Sequence, residues 1–417
     1  MTKTICFRLM LTLFLMAGWL DGNAQNHVAY SPNIATIQVT AGGDWLSPPI
    51  IVLGGQTAIH ISFDDLTHEY KRYTYAIEHC EADWTTSKGL FPGDYLSGFR
   101  TGMTIDQLEE SLNTNTLYTH YQLEIPNNEC QIKMSGNYRL TVFDENHDNQ
   151  PVLSVCFMVV EPQVGIQLDV TTNCDTDINN KHQQVSMTVN YGQLTVSDPS
   201  TQLKTVVMQN YSWQTARKNL QPQVILPAGL RWEHNRSLIF EAGNEYRKFE
   251  MLNAHVASIG IEKIVWDGTD FNVMLYPDEV CYNYIYDEDA NGSFFIRNSD
   301  YTEMEKTTDY MKVHFTLQIP QITGKIYVDG AWTNEQKDEK HEMVYNTETK
   351  AYELCLHLKQ GYYSYRYLWE ERPGRIRNLP TEGNFYQTEN EYQALVYFKG
   401  HADRADRLVG YQQVQFK

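Results

Sequence analysis

Two adjacent carboxylates stand early in the chain, where they could support chemistry. Asp64 and Asp65 follow the alternating run Ala58–Phe63. Paired acids can bind a cation or transfer protons. Adjacent residues of an extended chain point to opposite faces, however, and Asp is common in turns. We therefore interpret Asp64 and Asp65 as turn residues, with a cation or acid–base site as the alternative.

A second polar group combines an imidazole, a thiol, a carboxylate and an indole. Its members are His79, Cys80, Asp83 and Trp84. A catalytic Cys–His pair normally comes from distant segments that the fold brings together. Neighbouring His and Cys residues at the end of one strand would face apart. We expect a buried Cys, a hydrogen-bonded His and a packed Trp here.

The run Asp287–Gly292 has the Asp-x-Asp-x-Asn-Gly order that begins a calcium loop. Such a loop needs a bidentate Glu at its twelfth position, which here is Asn298. A hairpin turn at Asn291 explains the run better, between predicted strands at Tyr282–Tyr286 and Phe294–Ile296. Calcium binding stays open as the alternative.

The cysteines show no metal-ligand spacing. Of the seven, Cys6 lies in the predicted signal peptide, and no Cys-x-x-Cys pair occurs among the other six. Cys156 and Cys355 stand in apolar runs and are predicted to be buried. The spacing selects no disulfide pairing. We expect neither a metal site nor a cofactor.

The elements that must position these residues are short strands. Alternating or apolar runs bounded by Gly, Pro, Asn and Asp recur along the chain, and 28 Tyr and 16 Phe favour sheets. The pattern predicts an all-β protein of tandem immunoglobulin-like β-sandwich domains.

The N-terminus has the features of a secretory signal peptide. Lys3 and Arg8 precede the apolar run Leu9–Leu20, which is too short to span a bilayer, and Gly22–Ala24 supplies small residues before a cleavage site. We predict a signal peptide over 1–24 and an extracytoplasmic mature protein. No later run is long and apolar enough to predict a direct membrane span.

Two composition changes predict domain boundaries. The apolar strand that ends at Pro162 gives way to a new alternating strand, and the polar stretch Arg297–Thr308 separates two further strands. The predicted domains are 25–162, 163–300 and 301–417, each large enough for its own core.

Charge and motifs exclude several functions. The formal net charge is −19, which disfavours nucleic-acid binding. Gly-x-Ser-x-Gly, His-Glu-x-x-His and phosphate-loop patterns are absent from the sequence, and the strand–helix alternation of a hydrolase domain is not visible. We predict that the protein is not an enzyme.

The third predicted domain looks like an early-set immunoglobulin-like domain, a group that includes glycogen-binding modules. Its pattern is a strand at Gly324–Thr333, a strand at Tyr352–Leu358, a Gly turn and an aromatic strand at Tyr363–Tyr367. Trp332 and Trp369 are the candidates for stacking on sugars. The alternative is that these rings belong to the core.

Taken in order, nine stretches resemble the plug protein of the type IX secretion system of Bacteroidetes. They cover nearly the whole mature chain: Ser62–Leu66 (SFDDL), Tyr73–Trp84 (YTYAIEHCEADW), Tyr95–Phe99 (YLSGF), Tyr118–Tyr121 (YTHY), Ser135–Tyr138 (SGNY), Phe157–Glu161 (FMVVE), Tyr276–Glu279 (YPDE), Lys359–Tyr363 (KQGYY) and Arg407–Tyr411 (RLVGY). Ala242 departs from the Gly that this family tends to have.

The resemblance implies a periplasmic protein associated with the outer membrane through a protein partner. That partner would be the outer-membrane translocon β-barrel of the secretion system, whose periplasmic opening the plug would close when no substrate is passing. The family brings no catalytic residues, and its motif residues, including Asp64, His79 and Trp84, would be structural. The alternative function is an extracytoplasmic carbohydrate-binding protein.

Overall fold

The computed structural model describes residues 25–98, 102–300 and 302–417. The predicted signal peptide, 1–24, lies outside the described residues. Almost all regular structure within those ranges is strand, so the predicted all-β class is confirmed. The helices described there are short: α1 (Pro92–Tyr95), α2 (Pro199–Gln202), α3 (Met304–Thr307) and the 3-10 turns Arg236–Leu238, Ala331–Thr333 and Pro380–Glu382.

The first unit is a sandwich of two sheets with an additional two-stranded sheet. Its strands are β1 (Val28–Ala29), β2 (Ile34–Ala41), β3 (Ile50–Val52), β4 (Ile59–Asp65), β5 (Tyr73–Cys80), β6 (Leu96–Gly98), β7 (Met103–Thr104), β8 (Gln107–Glu110), β9 (Thr119–Ile125), β10 (Cys130–Ile132), β11 (Gly136–Asp144) and β12 (Gln150–Val160). One sheet runs β1-β12-β11-β5-β7 with β3 beside β12, and the other runs β2-β4-β9-β8. The additional sheet is formed by β6 and β10.

Period-two patterning explains this core. Ile59, Ile61 and Phe63 alternate along β4 and are 0%, 2% and 1% exposed, whereas His60 and Ser62 between them are less buried. Opposite them on β9, Tyr121 pairs with Phe63 and supplies the same inward face. The two inner faces therefore bury one continuous apolar layer.

The second unit begins with seven strands. They are β13 (Gly165–Thr171), β14 (His182–Asn190), β15 (Leu203–Gln209), β16 (Arg217–Lys218), β17 (Val224–Leu226), β18 (Gly229–Trp232) and β19 (Ile239–Glu241). One sheet runs β13-β14-β18-β17 with β19 beside β14. The second sheet starts with the pair β15 and β16.

The third unit is one continuous ten-stranded sheet around a single core. Its strands are β20 (Arg247–Met251), β21 (Ile261–Trp266), β22 (Phe271–Leu275), β23 (Phe294–Ile296), β24 (Tyr310–Leu317), β25 (Lys325–Asp329), β26 (Glu342–Asn346), β27 (Ala351–Lys359), β28 (Gly361–Arg372) and β29 (Arg375–Asn378). The aromatic strands expected in this part of the chain appear as β25, β27 and β28.

The chain then returns to the second unit. The last strands, β30 (Asn390–Phe398) and β31 (Arg407–Phe416), complete the sheet β16-β15-β30-β31. Tyr392 and Val396 on β30 share a core with Val185 and Trp232. The third unit is therefore inserted between β19 and β30 of the second.

This arrangement corrects the predicted domains 163–300 and 301–417. Phe249, Phe294 and Ile296 precede residue 300 but pack in the same core as Val313 and Phe315. The polar stretch taken as a linker is a connection within one core, since local composition does not reveal pairing between distant strands. The core of the first unit lies wholly inside the range predicted as 25–162.

None of the helices in the described part of the chain is both long and apolar enough to cross a bilayer.

Candidate functional site

Asp64 lies at a buried charged joint between the first and third units. Its carboxylate is 0% exposed and accepts from Lys359 Nζ at 2.7 Å and from the Tyr310 hydroxyl at 2.6 Å, both in the third unit. His120 Nδ1 on β9 lies 2.6 Å from the other oxygen. Burial alone would raise the pKa of Asp64, but Lys359 and His120 hold it below its usual range.

Aromatic and backbone contacts extend this charged joint. Lys359 Nζ lies 3.9 Å from the centre of the Tyr118 ring, and the Tyr118 hydroxyl donates to the Thr308 carbonyl at 2.7 Å. Thr36 and Tyr310 join their hydroxyls at 2.5 Å. Tyr310 and Lys359 are thus held by residues on both sides of the joint, and Asp64 is engaged by both of them and by His120.

Asp65 faces the interior of the first unit instead. Its carboxylate accepts from Lys71 Nζ at 3.0 Å, the Tyr73 hydroxyl at 2.9 Å and the Thr67 amide at 3.0 Å. The two acids therefore point to different partners, as an extended strand requires, and Asp65 also orders the turn after β4. Among the described residues, no group of three or more His, Cys, Asp or Glu could hold a metal ion.

His79 and Cys80 face opposite ways at the end of β5. His79 is 1% exposed, with Nδ1 2.9 Å from the Ser87 hydroxyl and Nε2 3.2 Å from the Ser135 carbonyl. Burial lowers its pKa. Gly136 must be glycine because a Cβ there would lie 2.2 Å from the imidazole Nε2. His79 is therefore a buried core residue whose ring nitrogens both contact neighbouring oxygens.

Cys80 and Trp84 form an apolar joint between the first and second units. They pack in one cluster with Met158 of the first unit and Leu395 of the second. Burial raises the pKa of Cys80 to about 11, so the thiol stays protonated and is a poor nucleophile. The Trp84 indole meets Trp213 edge to face, with centroids 5.5 Å apart.

Asp83 has a local role at the surface. Its carboxylate accepts from the Thr85 amide at 3.0 Å and the Thr85 hydroxyl at 2.6 Å. These bonds order the turn that places Trp84 at a φ of 68°, in the left-handed region. The six motif residues therefore do not assemble into one reactive site. The interpretation of Asp64 as a turn residue was wrong, because it lies in strand β4 and pairs with side chains of the third unit.

The two tryptophans proposed for sugar stacking are half-buried. Trp332 donates from Nε1 to the Ser364 carbonyl at 3.1 Å and packs edge to face on Tyr363. Trp369 donates from Nε1 to the Thr323 carbonyl at 2.8 Å, and the Arg377 guanidinium lies 4.7 Å from its ring centre. Both arrangements match the packing alternative, so no observation favours an open sugar platform.

Cys355 is exposed, which corrects the prediction that it is buried. Its sulfur lies 3.8 Å from His314 Nε2, but the same nitrogen lies 2.8 Å from the Asn272 side-chain oxygen. That oxygen can only accept, so Nε2 carries the proton and cannot take one from the thiol. Partial desolvation of the thiol also raises the pKa of Cys355, and the pair is not an activated nucleophile.

The carboxylates of the calcium-like run do not converge on one point. Asp287 pairs with Lys248 Nζ at 2.5 Å, while Asp289 accepts from the backbone amides of Tyr246 and Asn291. Phe294–Ile296 forms the predicted strand β23, but the partner strand predicted at 282–286 is absent from the described structure. That prediction was wrong because residues 282–286 lie outside the sheet.

The 276–290 segment instead exposes an apolar surface. Tyr276, Tyr282, Ile285 and Tyr286 are 60%, 81%, 76% and 55% exposed. Single exposed apolar residues are ordinary, but four within eleven positions of one irregular segment are not.

Buried polar contacts hold the backbone of the 276–290 segment. Asp278 accepts from Arg247 Nη1 at 2.8 Å and the Tyr367 hydroxyl at 2.6 Å. Further along, the Cys281 amide donates to the Thr381 carbonyl at 2.8 Å and the Tyr284 hydroxyl to Glu245 at 2.6 Å. The exposed side chains lie next to these anchors, which restrict the backbone conformation of the segment.

Our sequence reasoning missed this segment because its aromatic residues resembled a strand. The acidic residues on both sides, Asp278, Glu279, Asp287 and Glu288, were the available signal. Charged side chains are almost never fully buried, so such a concentration of acids indicates an exposed segment.

Comparison with known proteins identifies a matching family and a similar solved structure over nearly the full length. A family model described as "Type 9 secretion system plug protein 1st domain" matches residues 34–161, which span β2 to β12. The crystal structure of a hypothetical protein from Parabacteroides merdae ATCC 43184 matches with a TM-score of 0.91 and 41% identity, covering 94% of this chain and 99% of that chain.

Other comparisons add nothing to the argument. A partial N-terminal region of an enterococcal surface protein has a TM-score of 0.19 and 6% identity over 94% of this chain and 98% of that chain. No curated protein sequence matches.

Proposed function

The chain belongs to the type IX secretion system plug protein family, and we propose that it is a non-catalytic periplasmic plug. In this proposal it binds the giant outer-membrane translocon barrel and closes the periplasmic opening when no substrate is passing. Family membership itself indicates a role associated with the type IX secretion machinery and an extracytoplasmic, envelope-associated location.

The observation that carries a docking role is the exposed 276–290 segment. Exposed large apolar side chains concentrated in one segment are typical of a protein–protein contact. Tyr282 and Tyr286 are residues of the kind that dominate such contacts, since Tyr combines a large apolar area with a hydroxyl. Because Asp278 and Tyr284 already anchor the backbone, docking would cost little additional ordering entropy.

The arrangement of the polar candidates supports a binding role over a catalytic one. Asp64 is paired at an inter-unit joint, the Cys80 thiol is held protonated, and His79 is enclosed in the first core. None of these groups reaches a cleft in which a substrate could meet a base and a nucleophile together.

The plug proposal predicts co-purification with a very large outer-membrane barrel. Tagged protein would be recovered from detergent-solubilised envelopes of a Bacteroidetes cell, and the retained barrel would be quantified. Serine at Tyr282, Ile285 and Tyr286 together should reduce the retained barrel by roughly tenfold or more, because the anchor residues of an interface carry most of its binding energy.

A matched control uses apolar residues of similar exposure on another unit. Ile178→Ser with Ile225→Ser changes side chains that are 69% and 73% exposed on the second unit. This variant should retain the barrel like the unaltered protein, and both variants should keep their unfolding temperature.

The outcomes test the plug role and the proposed docking surface independently. If the unaltered protein never retains the barrel, the plug proposal fails. If the triple variant retains as much barrel as the unaltered protein, the 276–290 segment is not the docking surface.

A further inference from the structure

A cleft of about 410 Å³ lies where the three units meet. Trp84 of the first unit, Trp213 and Gln393 of the second, and Asp289 and Glu335 of the third all line it. This volume lies within the range of roughly 300–1,000 Å³ that is usual for ligand sites, and such sites favour domain interfaces.

The walls of the cleft are acidic. The carboxylates in its lining are Glu288, Asp289, Asp329, Glu335 and Glu391. Arg366 is the single lysine or arginine among the lining residues, and its Nε already lies 3.0 Å from Asp329. Among the described residues, Asp289, Glu335 and Glu391 form no ion pair. The cleft therefore has an excess of negative charge that its own walls do not balance.

Burial disfavours the charged form of these acids. It raises the pKa of Asp289 to about 7 and raises those of Glu335 and Glu391 above their ordinary values. A cation that entered the cleft would stabilise the charged carboxylates and reverse these shifts.

Unpaired polar atoms in the same walls point to a ligand with hydrogen-bonding groups. Trp84 and Gln393 are 1% and 0% exposed, yet Trp84 Nε1 and Gln393 Nε2 have no hydrogen-bond partner among the described residues. These two donors call for carbonyl oxygens. The side-chain oxygen of Asn334 is likewise buried without a partner and calls for an N–H group, whereas the Glu335 carboxylate interacts with the Ser212 hydroxyl.

The backbone at Glu335 is also strained. Asn334 and Glu335 have φ values of 55° and 54°, in the left-handed region that a Glu rarely adopts. Strain of this kind is kept where the surrounding structure needs a side chain in one place. Here it places the Glu335 carboxylate in the wall of the cleft.

Aromatic rings complete the lining. Trp45, Trp213 and Tyr246 are among the residues that line the cleft, and Arg366 lies 5.1 Å from the centre of the Tyr246 ring. Aromatic faces attract cations and accommodate the aliphatic stems of Lys and Arg.

We propose that this cleft binds a peptide segment that carries a lysine or arginine side chain. The cationic group lies against Glu335 and Asp289, the aliphatic stem packs on the tryptophans, and peptide carbonyls accept from Trp84 and Gln393. The proposal does not depend on the translocon, and the isolated protein tests it.

Calorimetry with the purified full chain and the peptide acetyl-Ala-Lys-Ala-amide is the direct test. We expect saturable binding. Replacing the lysine by norleucine, which keeps the stem and removes the charge, should abolish measurable binding. Glu335→Gln should lower the affinity for the lysine peptide roughly tenfold, as expected for loss of one charged hydrogen bond.

Glu348→Gln is the matched control, because Glu348 is an exposed carboxylate of the same unit outside the cleft. It should bind the peptide like the unaltered protein. Circular dichroism would verify that both variants fold.

Three results with the peptides would overturn the assignment, and a fourth comes from a non-peptide probe. The three peptide results are no binding of the lysine peptide, equal binding of the norleucine peptide, and equal affinity in the Glu335→Gln variant. Butylamine serves as the non-peptide probe. Binding of butylamine as tight as that of the peptide would also overturn the peptide assignment, since the backbone contacts would then contribute nothing.

Discussion

The first unit joins its two neighbours by opposite means. Toward the third unit, Asp64 and Lys359 form an ion pair with both side chains almost fully buried. Toward the second unit, Trp84, Trp213 and Leu395 form an apolar contact. A buried ion pair adds little net stability but is costly to break, whereas an apolar contact depends on filled volume. We therefore expect the charged joint to fix the orientation of the first and third units. The apolar joint should contribute more to the free energy of unfolding.

Removing the cation of the charged joint should have the largest effect. Lys359→Met keeps the length of the side chain but leaves Asp64 buried without its ammonium partner. We expect the free energy of unfolding to fall by about 4 kcal/mol, measured by urea denaturation.

Two further variants sharpen this test. Lys340→Met, at an exposed lysine of the same unit, should leave stability unchanged. Adding Asp64→Asn to Lys359→Met should recover part of the loss, because the uncompensated charge is gone. A double variant less stable than Lys359→Met alone would show that the charge is not the cause.

Opening a cavity in the apolar joint should have the next largest effect. Leu395 is 0% exposed, and Leu395→Ala should lower the free energy of unfolding by about 3 kcal/mol. Leu395→Met, which keeps the volume, should cost less than about 1.5 kcal/mol. Equal losses in the two variants would mean that packing volume does not govern this joint.

The pH dependence of stability should distinguish the contribution of His79 from that of Asp64 at the charged joint, because the two groups affect stability over different pH ranges. The pKa of His79 is lowered in the folded state, so the unfolded chain takes up a proton first as pH falls below about 6.5. Stability should decrease from there downward. The pKa of Asp64 is also lowered, and its contribution, present above the unfolded value, is lost only in acid below about pH 4.

Urea midpoints at pH 7, 6 and 5 test this separation. His79→Gln should show a smaller decrease over that range than the unaltered protein, because one of the groups that titrates there is gone. His27, whose pKa is lowered to about 4, should keep part of the dependence in both proteins. Identical profiles would contradict the assignment to His79.

The smallest effect on the free energy of unfolding is expected at Asp83, which lies at the surface. Asp83→Ala removes two hydrogen bonds from an exposed turn and should cost about 0.5 kcal/mol. A loss as large as that of Leu395→Ala would mean that this turn positions Trp84 in the apolar joint. The measurement is again urea denaturation, with Asp83→Asn as the conservative control.

Much of the local interpretation could be made without the structure. The alternation in β4 and β24 identified strands and their buried faces, and the neighbouring positions of Asp64 and Asp65 predicted that they face apart. The interpretation failed for Cys355 and for residues 282–286. An apolar run contains no information about which of its faces is covered.

Strand identity and the opposed directions of adjacent side chains follow from the sequence, because the period of two is a property of a few consecutive residues. The pairing of β15 with β30, the insertion of the third unit and the joints at Asp64 and Trp84 do not. They depend on contacts between residues up to about 300 positions apart, where burial and charge pairing in three dimensions select among many compatible partners. The 276–290 segment and the acidic cleft belong to this second class.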